Sequence, residues 1–332
     1  MQFYGKMRQN FDEPNKDITI NQGYKVFQNY NVAKNLSEKS IEHYAKCFKC
    51  FQGFYDTSKS CYSVTEDTIF EYIRHLKTTR NVNDITINSK LRVIRTMLYY
   101  FMKQGYMRPF QISELKAVKK IKETYTEHEL TLLLKKPDIN KTSFAEYRNW
   151  VLLNYFLGTG NRIGTVCNIK IDDVDFENDV IRLCKTKNRR EQIIPLSSSL
   201  KQILQEYLCY RKGEADDYLF CGVSGEQITE NTIRIAIYRY NRERGVMKTS
   251  VHLFRHTFAK QWILNGGDVF RLQKLLGHSN MNIVREYVNM FSDDLKQDFD
   301  EFSPLEKFHK QNGLIKKKSQ FTKSKLKKTA YF

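Results

Sequence analysis

Between Leu36 and Gly105 large apolar residues return every three or four positions, a period that amphipathic helices satisfy and strands do not. Ile41, Tyr44, Phe48, Phe51 and Phe54 form one stripe behind the cap-like Ser37. Ile69, Tyr72, Ile73 and Leu76 form a second after Thr65, and Leu91, Ile94, Leu98 and Phe101 a third from about Thr86. Each stripe must be covered, so residues 31–112 read as a small all-helical domain. Residues 1–30 are polar and Asn-rich without strong periodicity and read as an N-terminal extension. Cys47 and Cys50 have a metal-like spacing, but no second pair completes four ligands. A helix burying two thiols is the better reading.

Residues 113–125, SELKAVKKIKETY, form a basic connection, and Thr126 with Glu129 then reads as a capping box opening a new helix. The connection is therefore the expected linker, and 126–306 the expected second domain. A helix through Asn149–Leu157 comes first. Two β-like runs follow, Val180–Cys184 and Gln192–Leu196, with a polar turn between them as in a hairpin. Helical patterns resume at about 198–211, 230–243 and 252–264; Gly266-Gly267 breaks the last, Asp268 can cap another, and Gly277 ends it. The fold class is mainly α with a small antiparallel sheet (α+β).

The chain sets 55 Lys and Arg against 37 Asp and Glu, a net charge of +18 over 332 residues, and nine lysines with no acid fall in 307–332. That last segment reads as a basic, disordered tail, and the charge of the remainder points to a polyanion partner. Seven scattered cysteines argue for reduced thiols. No run approaches the ~18 apolar residues of a membrane span, and the N-terminus lacks an apolar signal core, so no membrane partner and a cytoplasmic location are expected.

Four segments can carry chemistry: Gly158-Thr-Gly-Asn-Arg162, Lys185-Thr-Lys187, His252-Leu-Phe-Arg255-His256, and Leu276-Gly-His278 followed nine residues later by Tyr287. Singly each is ordinary. Together, in this order, they resemble the tyrosine recombinases, the phage-type integrases and Xer-like two-domain site-specific recombinases. TGNRIGTV matches the first-arginine motif with Arg162, and Lys187 falls at the hairpin lysine. HLFRHTFA supplies His252 and Arg255, LGHSN supplies His278, and Val284-Arg-Glu-Tyr287-Val supplies the nucleophile.

The resemblance implies a helical core-binding domain followed by a catalytic domain, no cofactor or metal, and cleavage of double-stranded DNA through a 3′-phosphotyrosyl intermediate. It also implies a homotetramer on core sites with inverted repeats, an accessory directionality factor in some systems, and integration or excision of a mobile element. A C-terminal helix carrying Leu295, Phe299 and Phe302 would dock on a neighbouring protomer; packing on its own domain is the alternative. The residue types suit the chemistry. Two always-charged arginine forks can grip the phosphate oxygens that gain charge in the transition state, Lys187 can protonate the departing 5′ oxygen, and imidazoles can carry the tyrosine proton.

One position departs from the pattern. The family usually places an acid three residues after the first arginine, where this chain has Thr165; Thr165 could supply a weaker bond, or Asp172 or Asp173 could substitute from nearby. His256 reads as structural, and Gly158-Thr-Gly160 as a tight turn, since the lysine of a phosphate loop is missing. An Xer-type resolvase, a catalytically silent DNA-binding protein and a type IB topoisomerase are the competing readings. The full set of six residues favours an enzyme over a silent binder.

Overall fold

The computed structural model describes residues 18–80, 82–117, 123–184, 191–277 and 305, and the chain divides into two units, 1–120 and 121–332. The first unit begins earlier than its apolar stripes imply. Thr19 Oγ1 accepts from the Gln22 N–H at 3.2 Å, and Gln22 Oε1 accepts from the Thr19 N–H at 2.9 Å. This capping box starts α1, Ile20–Ala33. Ile20, Tyr24 and Phe27 turn into the core, so the expected polar extension over 1–30 is corrected: its last third is a packed helix. The period is hard to read there because Gly23 and Asn31 occupy inward positions. Gly23 must be small, since a Cβ would lie 3.0 Å from the Phe101 ring.

The three expected stripes become α2 (Glu38–Gln52), α3 (Glu66–Arg80) and α4 (Asp84–Lys103), capped by Ser37 and Asn83 at the first and last. Phe51, Tyr72, Ile94, Leu98 and Phe101 are buried together. Tyr24 stacks on Phe48 with centroids 3.6 Å apart, and Phe51 meets Tyr72 edge-on at 5.2 Å. Cys47 and Cys50 lie buried on α2.

The expected linker also narrows. Asn88 Nδ2 donates to the Leu115 carbonyl and Asn88 Oδ1 accepts from the Leu115 N–H, both at 2.8 Å, much as a strand would. Glu114 accepts from Arg92 Nε and Arg95 Nη2, both at 3.0 Å. Residues 113–117 thus belong to the helical unit. Tyr125 is buried in the other unit, its N–H donating to Thr257 Oγ1 at 2.9 Å.

The second unit is built around α6, Phe144–Thr159. Tyr147, Trp150, Val151, Leu152, Leu153, Tyr155 and Phe156 bury nearly its whole circumference, the pattern of a central helix. Around it pack α5 (Glu127–Leu134), α8 (Ser198–Arg211), α9 (Glu230–Glu243) and α10 (Val251–Leu264). The four-residue α7 (Ile163–Val166) follows α6, and α11 (Val269–Leu276) follows α10. The Thr126–Glu129 capping box and the Asp268 cap both form, and Gly277 ends α11 at φ 59°.

Three short strands make an antiparallel sheet in the order β1 (Val174–Asp175), β2 (Val180–Leu183) and β3 (Gln192–Pro195). The hairpin expected from sequence is β2–β3, with Leu183 opposite Gln192 and Ile181 opposite Ile194; β1 is an addition. Ile181, Leu183 and Ile194 face the core, while Ile193 and Arg182 face out. Two residues are too few to show alternation, so β1 left no sequence signal. The fold is mainly α with a small antiparallel sheet. Among the described residues, no helix is long and apolar enough to cross a membrane. The expected C-terminal helix and the basic tail lie outside the described residues, residue 305 excepted.

Glu114 allows an acid test of the first unit. The hydrogen bond from Arg92 holds its carboxyl below the usual carboxylate range, with smaller help from the charges of Arg92 and Arg95. A folded pKa below the unfolded one contributes stability that is present above the unfolded value, near 4.3, and is lost as pH falls through the folded value. Glu114→Gln should therefore flatten the acid limb of a urea-denaturation stability profile below about pH 5. Near neutral pH it should cost no more than about 1 kcal/mol, since the pair is partly exposed.

Candidate active site

α6 must stop abruptly for the first site arginine to face its partners. Gly160 supplies the stop at φ 63°, its N–H donating to the Phe156 carbonyl. A Cβ at this position would fall 2.6 Å from the Phe258 ring and 2.8 Å from Leu276 Cδ2. Glycine alone lets the end of α6 abut α10 and α11 this closely.

Buried polar groups hold the next turn. Thr159 Oγ1 donates to the Tyr155 carbonyl at 2.7 Å and accepts from the Asn161 N–H at 3.3 Å. Asn161 Nδ2 donates to the Tyr155 phenol oxygen at 2.9 Å. Burial, only partly offset by that bond, pushes the Tyr155 phenol above the usual tyrosine range, so it stays neutral. Arg162 then caps α7 with extended backbone, at φ −77° and ψ 143°.

Two guanidinium groups converge on one carbonyl. Arg162 Nη1 donates to the Leu276 oxygen at 3.3 Å, and Arg255 Nη2 donates to the same oxygen at 2.7 Å. Arg255 Nη1 donates to the Gly160 oxygen at 2.8 Å. Arg255 is 5% exposed on α10, whereas Arg162 is half-buried. Leu276 is the last residue of α11, where unpaired carbonyls concentrate partial negative charge. That charge offsets the repulsion of placing two cations together. Gln192 at the start of β3 caps the carbonyls just before it, Nε2 donating to the Lys274 oxygen at 2.6 Å and the Leu275 oxygen at 2.9 Å.

His252 is exposed on the first turn of α10, one helical step of three residues before Arg255 and therefore on nearly the same side. His256 lies one turn beyond His252 and is half-buried. Thr165 is buried within α7. Asp173 Oδ2 accepts from the Lys170 N–H at 2.8 Å, and the Cys184 thiol lies 3.6 Å from its Oδ1, while Asp172 is exposed. Lys187, His278 and Tyr287 lie outside the described residues. Of the six residues expected from sequence, the structure thus brings Arg162 and Arg255 together on one carbonyl, and it places His252 on α10, exposed and three residues before Arg255. Gln192, Asn161 and Tyr155 support the same site and were not expected. Their bonds to backbone and to one another carry no motif.

Residues 24–121 match the Phage integrase SAM-like domain and residues 123–293 match the Phage integrase family. The chain belongs to the phage integrase family. Among relatives of this family, the tyrosine recombinase XerC of Bacillus subtilis (strain 168) is 27% identical over 293 residues, covering 83% of this chain and 94% of the relative. The XerC of Thermodesulfovibrio yellowstonii is 26% identical over 234 residues, covering 67% and 77%. In fold, the chain is similar to the Tn1549 transposon integrase in complex with a circular intermediate DNA, with a TM-score of 0.67 and 22% identity over 81% of this chain and 95% of that one. It is similar also to the XerH site-specific recombinase bound to palindromic difH, with a TM-score of 0.67 and 21% identity over 85% and 84%.

For this integrase-family chain, the close approach at Gly160 predicts a large effect from a small change. Gly160→Ala combines a positive φ with a Cβ inside contact distance of two side chains. It should destabilise the full chain by on the order of 2 kcal/mol in urea denaturation. An unchanged midpoint would show that the end of α6 has room to retreat.

Proposed function

We propose that this family member is a site-specific recombinase in which Tyr287 attacks a DNA phosphodiester and Arg162 and Arg255 neutralise the charge that develops. The observation that carries the reading is the convergence of the two guanidiniums on the Leu276 carbonyl, in the turn that leads directly to Gly277 and His278. Preorganised donors of this kind need no rearrangement as charge builds in the transition state. Guanidinium forks also match the paired oxygens of a phosphate.

In the proposed cycle the Tyr287 oxygen bonds to phosphorus while the bond from phosphorus to the 5′ oxygen breaks. His252 and His278 assist proton transfer around the phosphate, and Lys187 delivers a proton to the departing 5′ oxygen. The product is a 3′-phosphotyrosyl linkage and a free 5′-hydroxyl. The phosphodiester energy is kept in that linkage, so attack by another 5′-hydroxyl rejoins the strands without nucleotide hydrolysis. Thr165 stands where relatives of the resembled group usually carry an acid, and it is buried in α7.

Double-stranded DNA is the partner that this chemistry requires. A homotetramer on inverted-repeat core sites, a directionality factor and a cytoplasmic location on the chromosome complete the proposal. Integration or excision of a mobile element is favoured by the likeness to the Tn1549 transposon integrase, and Xer-type resolution by the XerC relatives. Short inverted repeats flanking the gene within a mobile segment would decide for the former.

Two experiments test the chemistry on a nicked duplex carrying those flanking repeats. Wild-type protein should form a covalent 3′-phosphotyrosyl adduct that Tyr287→Phe does not form; equal adduct from both proteins would sink the nucleophile assignment. Arg162→Lys and Arg255→Lys should each slow cleavage by on the order of 10²–10³-fold, because a point charge cannot reproduce a fork. Binding to the same duplex should persist. Full cleavage by either Lys variant would remove that arginine from the proposed clamp.

A further inference from the structure

The last turn of α11 is held from three directions, and one of the three clamps belongs to no residue in the proposed catalytic set. The Gln192 amide donates to the Lys274 and Leu275 carbonyls. The next carbonyl along, that of Leu276, is the shared acceptor of Arg162 and Arg255. The Gly277 N–H donates to the Gln273 and Lys274 carbonyls, so the chain begins this cap and Gln192 completes it toward Leu275; a last turn held less firmly frays. Fraying here would displace the acceptor on which both guanidiniums rest.

Gln192 is well placed to prevent it. Its strand is anchored by Ile194, buried and paired with Ile181, and Gln192 itself lies opposite Leu183 in the register. The sheet therefore fixes the backbone from which the amide reaches across. Gly277 keeps the space open: a Cβ there would lie 2.9 Å from Gln192 Oε1 and 3.9 Å from Arg162 Nη1. The residue type also fits the task. An amide caps carbonyls while remaining neutral, whereas a lysine or arginine at the same place would add a third cation beside the pair and compete for the phosphate.

We propose that Gln192 is a positioning residue for the recombination chemistry. It locks the final turn of α11 so that the Leu276 carbonyl fixes the two guanidiniums in the geometry the scissile phosphate needs. The inference rests on the reading of Arg162 and Arg255 as the phosphate clamp.

The test is a double-mutant cycle in the full chain, read as single-turnover cleavage of the nicked duplex at saturating protein, with DNA affinity and thermal midpoint measured alongside. Gln192→Met keeps the length of the side chain and removes both donors. It should slow cleavage by about tenfold or more while changing DNA affinity by less than about twofold. In an Arg255→Lys background, where the fork is already lost, the same change should slow cleavage by less than about twofold. Equal slowing in both backgrounds would mean that Gln192 acts through general stability, and no slowing in either would mean that it has no part; both outcomes overturn the proposal. Because the coupling compares folded proteins that share the Gln192 change, a lowered thermal midpoint does not hide it. If Arg255→Lys itself cleaves at the wild-type rate, the clamp reading has failed, a result distinct from failure of the Gln192 inference.

Discussion

The Leu276 carbonyl, accepting from two arginines at once, is the interaction on which the rest of the catalytic unit depends. Two guanidiniums repel, and each loses hydration as it is enclosed. Arg255 is almost fully buried. Both costs are met by a helix terminus, where oriented carbonyls present acceptor lone pairs and the negative end of a dipole. The arrangement works only if α11 ends where it does. Asp268 starts the helix and Gly277 stops it, which places Leu276 as the last helical carbonyl.

One donor in that contact, Arg162, follows directly on α6, and its accuracy comes from the burial of that helix. A helix covered nearly all round cannot slide or rotate without opening cavities, each costing kilocalories. Its end is therefore a fixed point, and the Gly160 carbonyl and the Arg162 backbone inherit that fixity. The buried triad of Thr159, Asn161 and Tyr155 then sets the turn between them, every bond made inside the core where water does not compete. Rigid packing is thus converted into the position of a charged group at the surface.

The first unit solves a separate problem with separate means. Helices α1 to α4 close around their own aromatic core, and the segment after α4 is stitched back by Asn88 and by the Glu114 pairs with Arg92 and Arg95. Each unit has its own apolar core.

Much of this was legible in the residues. Periods of three and four placed α2, α3 and α4; caps and glycine stops bounded α5 and α11; and paired β-like runs marked the hairpin, because these signals are local and are set by side-chain geometry within a few residues. The ordered motif residues resembled those of the tyrosine recombinases before any fold was in view, and that resemblance implied phosphoryl-transfer chemistry. What the sequence could not determine was which distant groups meet. α1 is hard to read because glycine and asparagine take inward positions, and at Gly23 only the neighbouring Phe101 and Cys61 explain the choice. Arg162 and Arg255 share an acceptor contributed by a backbone, and Gln192 caps backbone carbonyls. A main-chain oxygen is present at every residue and leaves no mark on composition or spacing. Only the packing of α6, α10, α11 and the sheet decides which of those oxygens become the fixed points of the site.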